Sequence, residues 1–151
     1  MPELCNSDLV ESLASALETM AFISLTPPEE AIQPPDEAVM LRASYGGARC
    51  GKVELVTSMS LGRLLVDNTL SCDPSDTLIL PNPQDPLVEL LNITCGLLLK
   101  QRAKGVRFAM HVPEVLPFDT AKQWNKFING GGCDVLLADG IVVAIRVIED
   151  E

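Results

Sequence analysis

Near the carboxyl end, residues 134–138 and 141–148 form two apolar runs on either side of Asp139-Gly140. An Asp-Gly pair favours the two-residue hairpin turn in which both central residues take positive φ, a conformation glycine adopts without steric cost. Strands joined by such a turn pair antiparallel. The chain must therefore build at least part of its core on an antiparallel sheet. The second run is almost wholly apolar, which places it centrally in that sheet or at a buried interface.

The upstream pattern supplies partners for this hairpin. Residues 38–44 and 52–57 alternate Val39, Leu41, Ala43 and Val53, Leu55, Thr57 with polar neighbours such as Arg42, Lys52 and Glu54, around a loop holding Gly46, Gly47 and Gly51. They read as a second antiparallel hairpin. Residues 8–23 have helical periodicity, with Leu9, Leu13, Leu17 and Met20 on one face and Asp8 with Glu11 resembling a capping box. Pro27, Pro28, Pro34 and Pro35 enclose an acidic loop. Residues 61–70 read as a short helix, followed by a polar loop around Cys72 to Asp76. A long helix ends near Lys100, Arg102 and Lys104, whose charges suit its carboxyl end, with Gly105 as the stop. Residues 106–112 read as a strand, and 114–118 as a loop with Pro117. The segment 119–127 is either a short helix or irregular. Helix, two strands, helices and three strands make one α+β domain over residues 1–151, a mostly antiparallel sheet covered by helices.

At 151 residues the chain is long enough for a full core, and 47% hydrophobic but 4% aromatic content makes that core aliphatic. Eleven Lys and Arg against 21 Asp and Glu give a net charge of −10, which argues against nucleic acid or an anionic membrane as partner. Cys5, Cys50, Cys72, Cys95 and Cys133 are odd in number and widely spaced, without a Cys-x2-Cys pair. Reduced thiols fit better than a disulfide framework or a zinc site. No secretory signal or spanning run is evident, so a cytoplasmic location is expected.

The long helix carries the candidate site. Residues advance about 100° each, so Asp85, Glu89, Asn92 and Gly96 fall within roughly 60° of one another. Leu87, Leu90, Leu91 and Leu98 fall on the opposite side. An acid and an amide are thus presented together on a rigid element, and Gly96 removes bulk where a partner would approach. A Glu-x2-Asn pair alone recurs by chance in about one of three chains this long, whereas the four-position pattern falls well under about one in a hundred. The plainer reading is a core helix whose exposed face happens to carry Glu and Asn. Asp85 before Pro86 also reads as an N-cap, with Asn82 before Pro83 as a competing cap one turn earlier. His111 stands alone in its strand, Cys95 and Trp124 read as packing residues, and Gly130-Gly-Gly132 reads as a loop unrelated to phosphate binding.

The spacing Asp-x3-Glu-x2-Asn-x3-Gly resembles the signature helix of the CheX/CheC/FliY family of chemotaxis phosphatases, and all four positions match. The element order over roughly residues 8–148 and the Pro-containing segment 112–117 add to the resemblance. It implies a CheC-like fold and hydrolysis of the aspartyl phosphate on a phosphorylated CheY-type response regulator. Glu89 would pair with the receiver's lysine and dock the helix, while Asn92 would orient the attacking water. Asp85 and Gly96 would belong to the partner-binding face. No cofactor or metal of its own is implied, because Mg2+ would arrive with the phosphorylated partner. Some members carry two signature helices. Here the first helix has Ser7 and Glu11 at matching positions but Ala14 in place of the amide and Glu18 in place of the glycine. This implies the single-site, CheX-like branch, whose members form homodimers. The alternative is a non-catalytic receiver-binding or signalling module of the same fold.

Overall fold

The computed structural model describes residues 6–69, 82–102 and 107–150. In order they form α1 (Asn6–Ala21), β1 (Leu25–Thr26), β2 (Ala38–Gly47), β3 (Gly51–Ser58), α2 (Met59–Thr69), α3 (Gln84–Arg102), β4 (Phe108–Met110), β5 (Glu114–Pro117), α4 (Thr120–Asn129), β6 (Cys133–Ala138) and β7 (Ile141–Glu149). The strands form one sheet in the order β1-β6-β7-β3-β2-β4, with β5 also on β2. Every described pairing is antiparallel. The fold is α+β, as expected.

Asp139 and Gly140 both take positive φ, 51° and 82°, and close the β6–β7 hairpin. β7 lies between β6 and β3, which accounts for its apolar sequence by central placement. Alternate residues of each strand feed two cores. One face carries Val39, Leu41, Val53, Leu55, Val143 and Ile145 beneath α1, α2 and α3. The other carries Met40, Val56 and Ala144 beneath Trp124 and Phe127 of α4. Polar positions of the strands therefore do not simply face water. Glu54, one of them, is 1% exposed.

Several boundaries differ from expectation. α1 begins by Asn6, so Asp8 sits inside its first turn and is not its cap. The helix closes at Phe22, whose left-handed backbone (φ 56°) turns the chain away. The 114–118 segment is a strand, β5, paired with β2 from Val39↔Pro117 to Arg42↔Glu114. Pro117 had argued for a loop, but among the described strands β5 pairs with β2 only, so Pro117 needs no donor on the outer side. The strand after α3 is shorter than expected, Phe108–Met110. The two-residue β1 has too little pattern to be read from sequence. Segment 119–127 resolves as helix because Asp119 caps it, accepting from the Ala121 N–H at 3.1 Å. The Cys72 to Asp76 loop and the stop at Lys104 and Gly105 lie outside the described residues, as do Cys5 and Cys72.

Candidate functional site on α3

α3 starts at a cap that decides the role of Asp85. The Asn82 side-chain oxygen accepts from the Gln84 N–H at 3.0 Å, and its carbonyl accepts from the Asp85 N–H at 3.0 Å. Asn82 is therefore the cap, and the Asp85 N-cap reading is overturned. Pro83 and Pro86 fall in the first turn, where a missing N–H costs little. Asp85 becomes an exposed carboxylate in that turn, a position the helix dipole favours. Gly62 on α2 sets the approach of this end: a Cβ there would collide with the Pro83 carbonyl.

The buried side of α3 is complete. Leu87, Leu90, Leu91, Thr94, Cys95 and Leu98 are fully buried, against α1, α2 and the sheet. The Thr94 hydroxyl donates to the Leu90 carbonyl at 2.7 Å, so this polar group enters the core satisfied. Burial pushes the Cys95 thiol up to about 11, consistent with packing and against a nucleophile.

The opposite side carries the predicted stripe. Asp85, Glu89 and Asn92 are exposed and Gly96 is half-buried. Among the described residues, no hydrogen bond or ion pair engages the side chains of Asp85, Glu89 or Asn92. The same holds for Gly96 in a different sense, since a Cβ there would come no nearer than 4.0 Å to any neighbour, the Met110 sulfur. The fold would accept a side chain at Gly96, whereas at Gly62 it would not.

The sequence reading missed the margins of the stripe. Val88 and Ile93 are half-buried and lie about 40° beyond Asn92 and Glu89 on either side. An apolar rim around a polar pair is suited to excluding water from a docked partner. Met110 beside Gly96 leads into exposed His111 and Val112, the latter 79% exposed. Their signal in the sequence was only the departure from strand alternation at the end of β4.

Other candidates play no part. No group of three or more His, Cys, Asp or Glu side chains that could hold a metal exists among the described residues. Cys50, Cys95 and Cys133 are free thiols. Trp124 is buried beneath α4, as a packing anchor should be. No helix among the described residues is long and apolar enough to cross a membrane.

No protein-family model matches this sequence, and neither does any curated protein. Solved structures do. The chain is similar to the chemotaxis protein CheX of Desulfovibrio desulfuricans, at 14% identity and TM-score 0.66 over 95% of this chain and 97% of that one. A CheC-like superfamily protein from Shewanella matches at 18% identity and TM-score 0.64 over the full length of both. CheX in a CheX-CheY-BeF3-Mg2+ complex from Borrelia burgdorferi matches at 17% identity and TM-score 0.59 over 96% and 97%. The chain thus has the CheC-like fold. Its structural neighbours are CheX, CheC-like and FliY proteins, several of them CheX.

Proposed function

We propose that this chain is a phosphatase for the aspartyl phosphate of a CheY-type response regulator, acting in the manner of CheX. The observation that carries the proposal is the Glu89/Asn92 stripe. It is exposed and has no side-chain partner among the described residues, yet is fixed on a helix whose other side is fully buried. The CheX of Borrelia burgdorferi, of the same fold, is known in complex with CheY.

Hydrolysis of an aspartyl phosphate requires a water oxygen to bond to phosphorus as the bond from phosphorus to the aspartyl oxygen breaks. The products are a free carboxylate and inorganic phosphate. Catalysis of such a step is mostly positioning and electrostatics. An uncharged amide can donate and accept at once, so Asn92 can hold the attacking water beside the phosphoryl group. A carboxylate in its place would repel the phosphate. Glu89, one turn earlier, would pair with the receiver's active-site lysine and so set the depth of Asn92. Asp85, relieved of capping, joins the docking face, and Gly96 lets the partner approach. The Mg2+ belongs to the phosphorylated partner. The same reading takes the protein to be cytoplasmic and a homodimer.

The test is the loss of phosphate from a panel of phosphorylated receiver domains with and without this protein, and with Asn92→Ala and Glu89→Ala. Acceleration by the native protein that Asn92→Ala abolishes supports the phosphatase. Binding to a receiver without acceleration would sink it in favour of a non-catalytic module.

A further inference from the structure

On the sheet face opposite α3, a charged row crosses three strands and meets a cysteine on a fourth. Arg42 on β2 pairs in register with Glu54 on β3, Glu54 with Arg146 on β7, and Arg146 with Cys133 on β6. Each arginine grips one oxygen of the buried carboxylate. Arg42 places Nε at 2.9 Å and Nη2 at 2.7 Å from one, and Arg146 places Nε at 2.9 Å and Nη2 at 2.8 Å from the other. Glu54 is thereby saturated, but the arginines are not. The Nη1 of each has no partner among the described residues, and their side chains are 33% and 21% exposed.

Both arginines line an open hollow of about 430 Å³, with Met40, Phe118, Lys126, Phe127 and Gly130 also in its lining. That volume is in the range of small-molecule sites. Its lining holds three cations and one anion, a local excess of positive charge in a chain of net charge −10. Glu114 lies in register with Arg42 but makes no ion pair with it. The two arginines are also held in place. The Arg146 guanidinium lies 4.2 Å over the Phe127 ring, and a Cβ on Gly130 would crowd its Nη1 at 3.1 Å. Planar guanidiniums fixed in advance lose little entropy on gripping an anion.

We propose that this hollow binds a small organic anion, its phosphate or carboxylate group held by Arg42, Arg146 and Lys126 and its apolar part against Met40 and Phe118. The site lies across the sheet from the α3 stripe, so it stands independently of the phosphatase reading. Binding is to be followed by titration calorimetry while phenyl phosphate or benzoate is added at constant ionic strength. We expect a saturable response to at least one probe, weakened tenfold or more in Lys126→Glu and unchanged in Asn92→Ala. Phenyl phosphate alone would assign a phosphoanion site, and benzoate alone a carboxylate site. Lys126 is exposed, so the variant leaves the core intact. No saturable response to either probe, or equal affinity in Lys126→Glu, overturns the proposal.

Discussion

α1 and α3 pack against each other over the same sheet face and carry nearly the same scaffold, yet only one of them presents a complete polar pair. Leu9, Leu13 and Leu17 of α1 are as fully buried as Leu87, Leu90 and Leu91 of α3. Both helices expose a glutamate, Glu11 on one and Glu89 on the other. They part at the next position on the stripe, where α1 has a half-buried Ala14 and α3 an exposed Asn92, and again where Glu18 stands against Gly96. Stability and chemistry are therefore written on different sides of a helix. The leucine sides are interchangeable in kind, and the stripes are not.

That comparison can be broken most forcefully on the buried sides. Leu13→Ala and Leu90→Ala should each cost about 2–5 kcal/mol in denaturant unfolding. A large cost in one helix and none in the other would show that they do not share the load. Next comes the amide. Asn92→Ala should slow receiver dephosphorylation by about 10²-fold or more while moving stability by no more than about 0.5 kcal/mol. A variant that loses stability along with activity would mean that Asn92 serves the fold. A smaller effect is expected at Ser12, whose hydroxyl is buried on α1 with no hydrogen-bond partner among the described residues. Ser12→Ala should stabilise by about 1 kcal/mol, read as a raised Tm. The smallest is Glu11→Ala. Without an amide beside it, Glu11 should be dispensable, leaving both rate and Tm unchanged, and a slowed rate would reopen α1 as a second site.

Much of this was legible in the sequence, for identifiable reasons. The β6–β7 hairpin, the β2–β3 pair and the α3 stripe each rest on a short-range period or turn that needs no knowledge of the rest of the chain. β5 was read as a loop because Pro117 counts against a strand unless it is known to lie at an edge, and edges are a property of the assembled sheet. Asp85 before Pro86 was the favoured cap and Asn82 its competitor, and only the backbone path decides for Asn82. The Arg42, Glu54 and Arg146 row was invisible for the same reason. Its members are 12 and 92 residues apart, and they meet only once two strand registers are set.

That row also bears on how the sheet finds its alignment. A slip of β3 by one residue would turn Glu54 into the aliphatic face of Val53 and Leu55, leaving a carboxylate without its guanidiniums in the core. A slip by two would keep the face and lose both pairings. The three strands are in this sense keyed, with one tooth on β3 and a notch on either side. Acid would loosen the key. Burial pushes the Glu54 carboxyl up, but the hydrogen bonds and charges of Arg42 and Arg146 outweigh it and hold the group below the ordinary carboxylate range. The stabilisation is therefore complete above that range and drains away as pH falls through the depressed value, and mispaired sheets should become competitive there first.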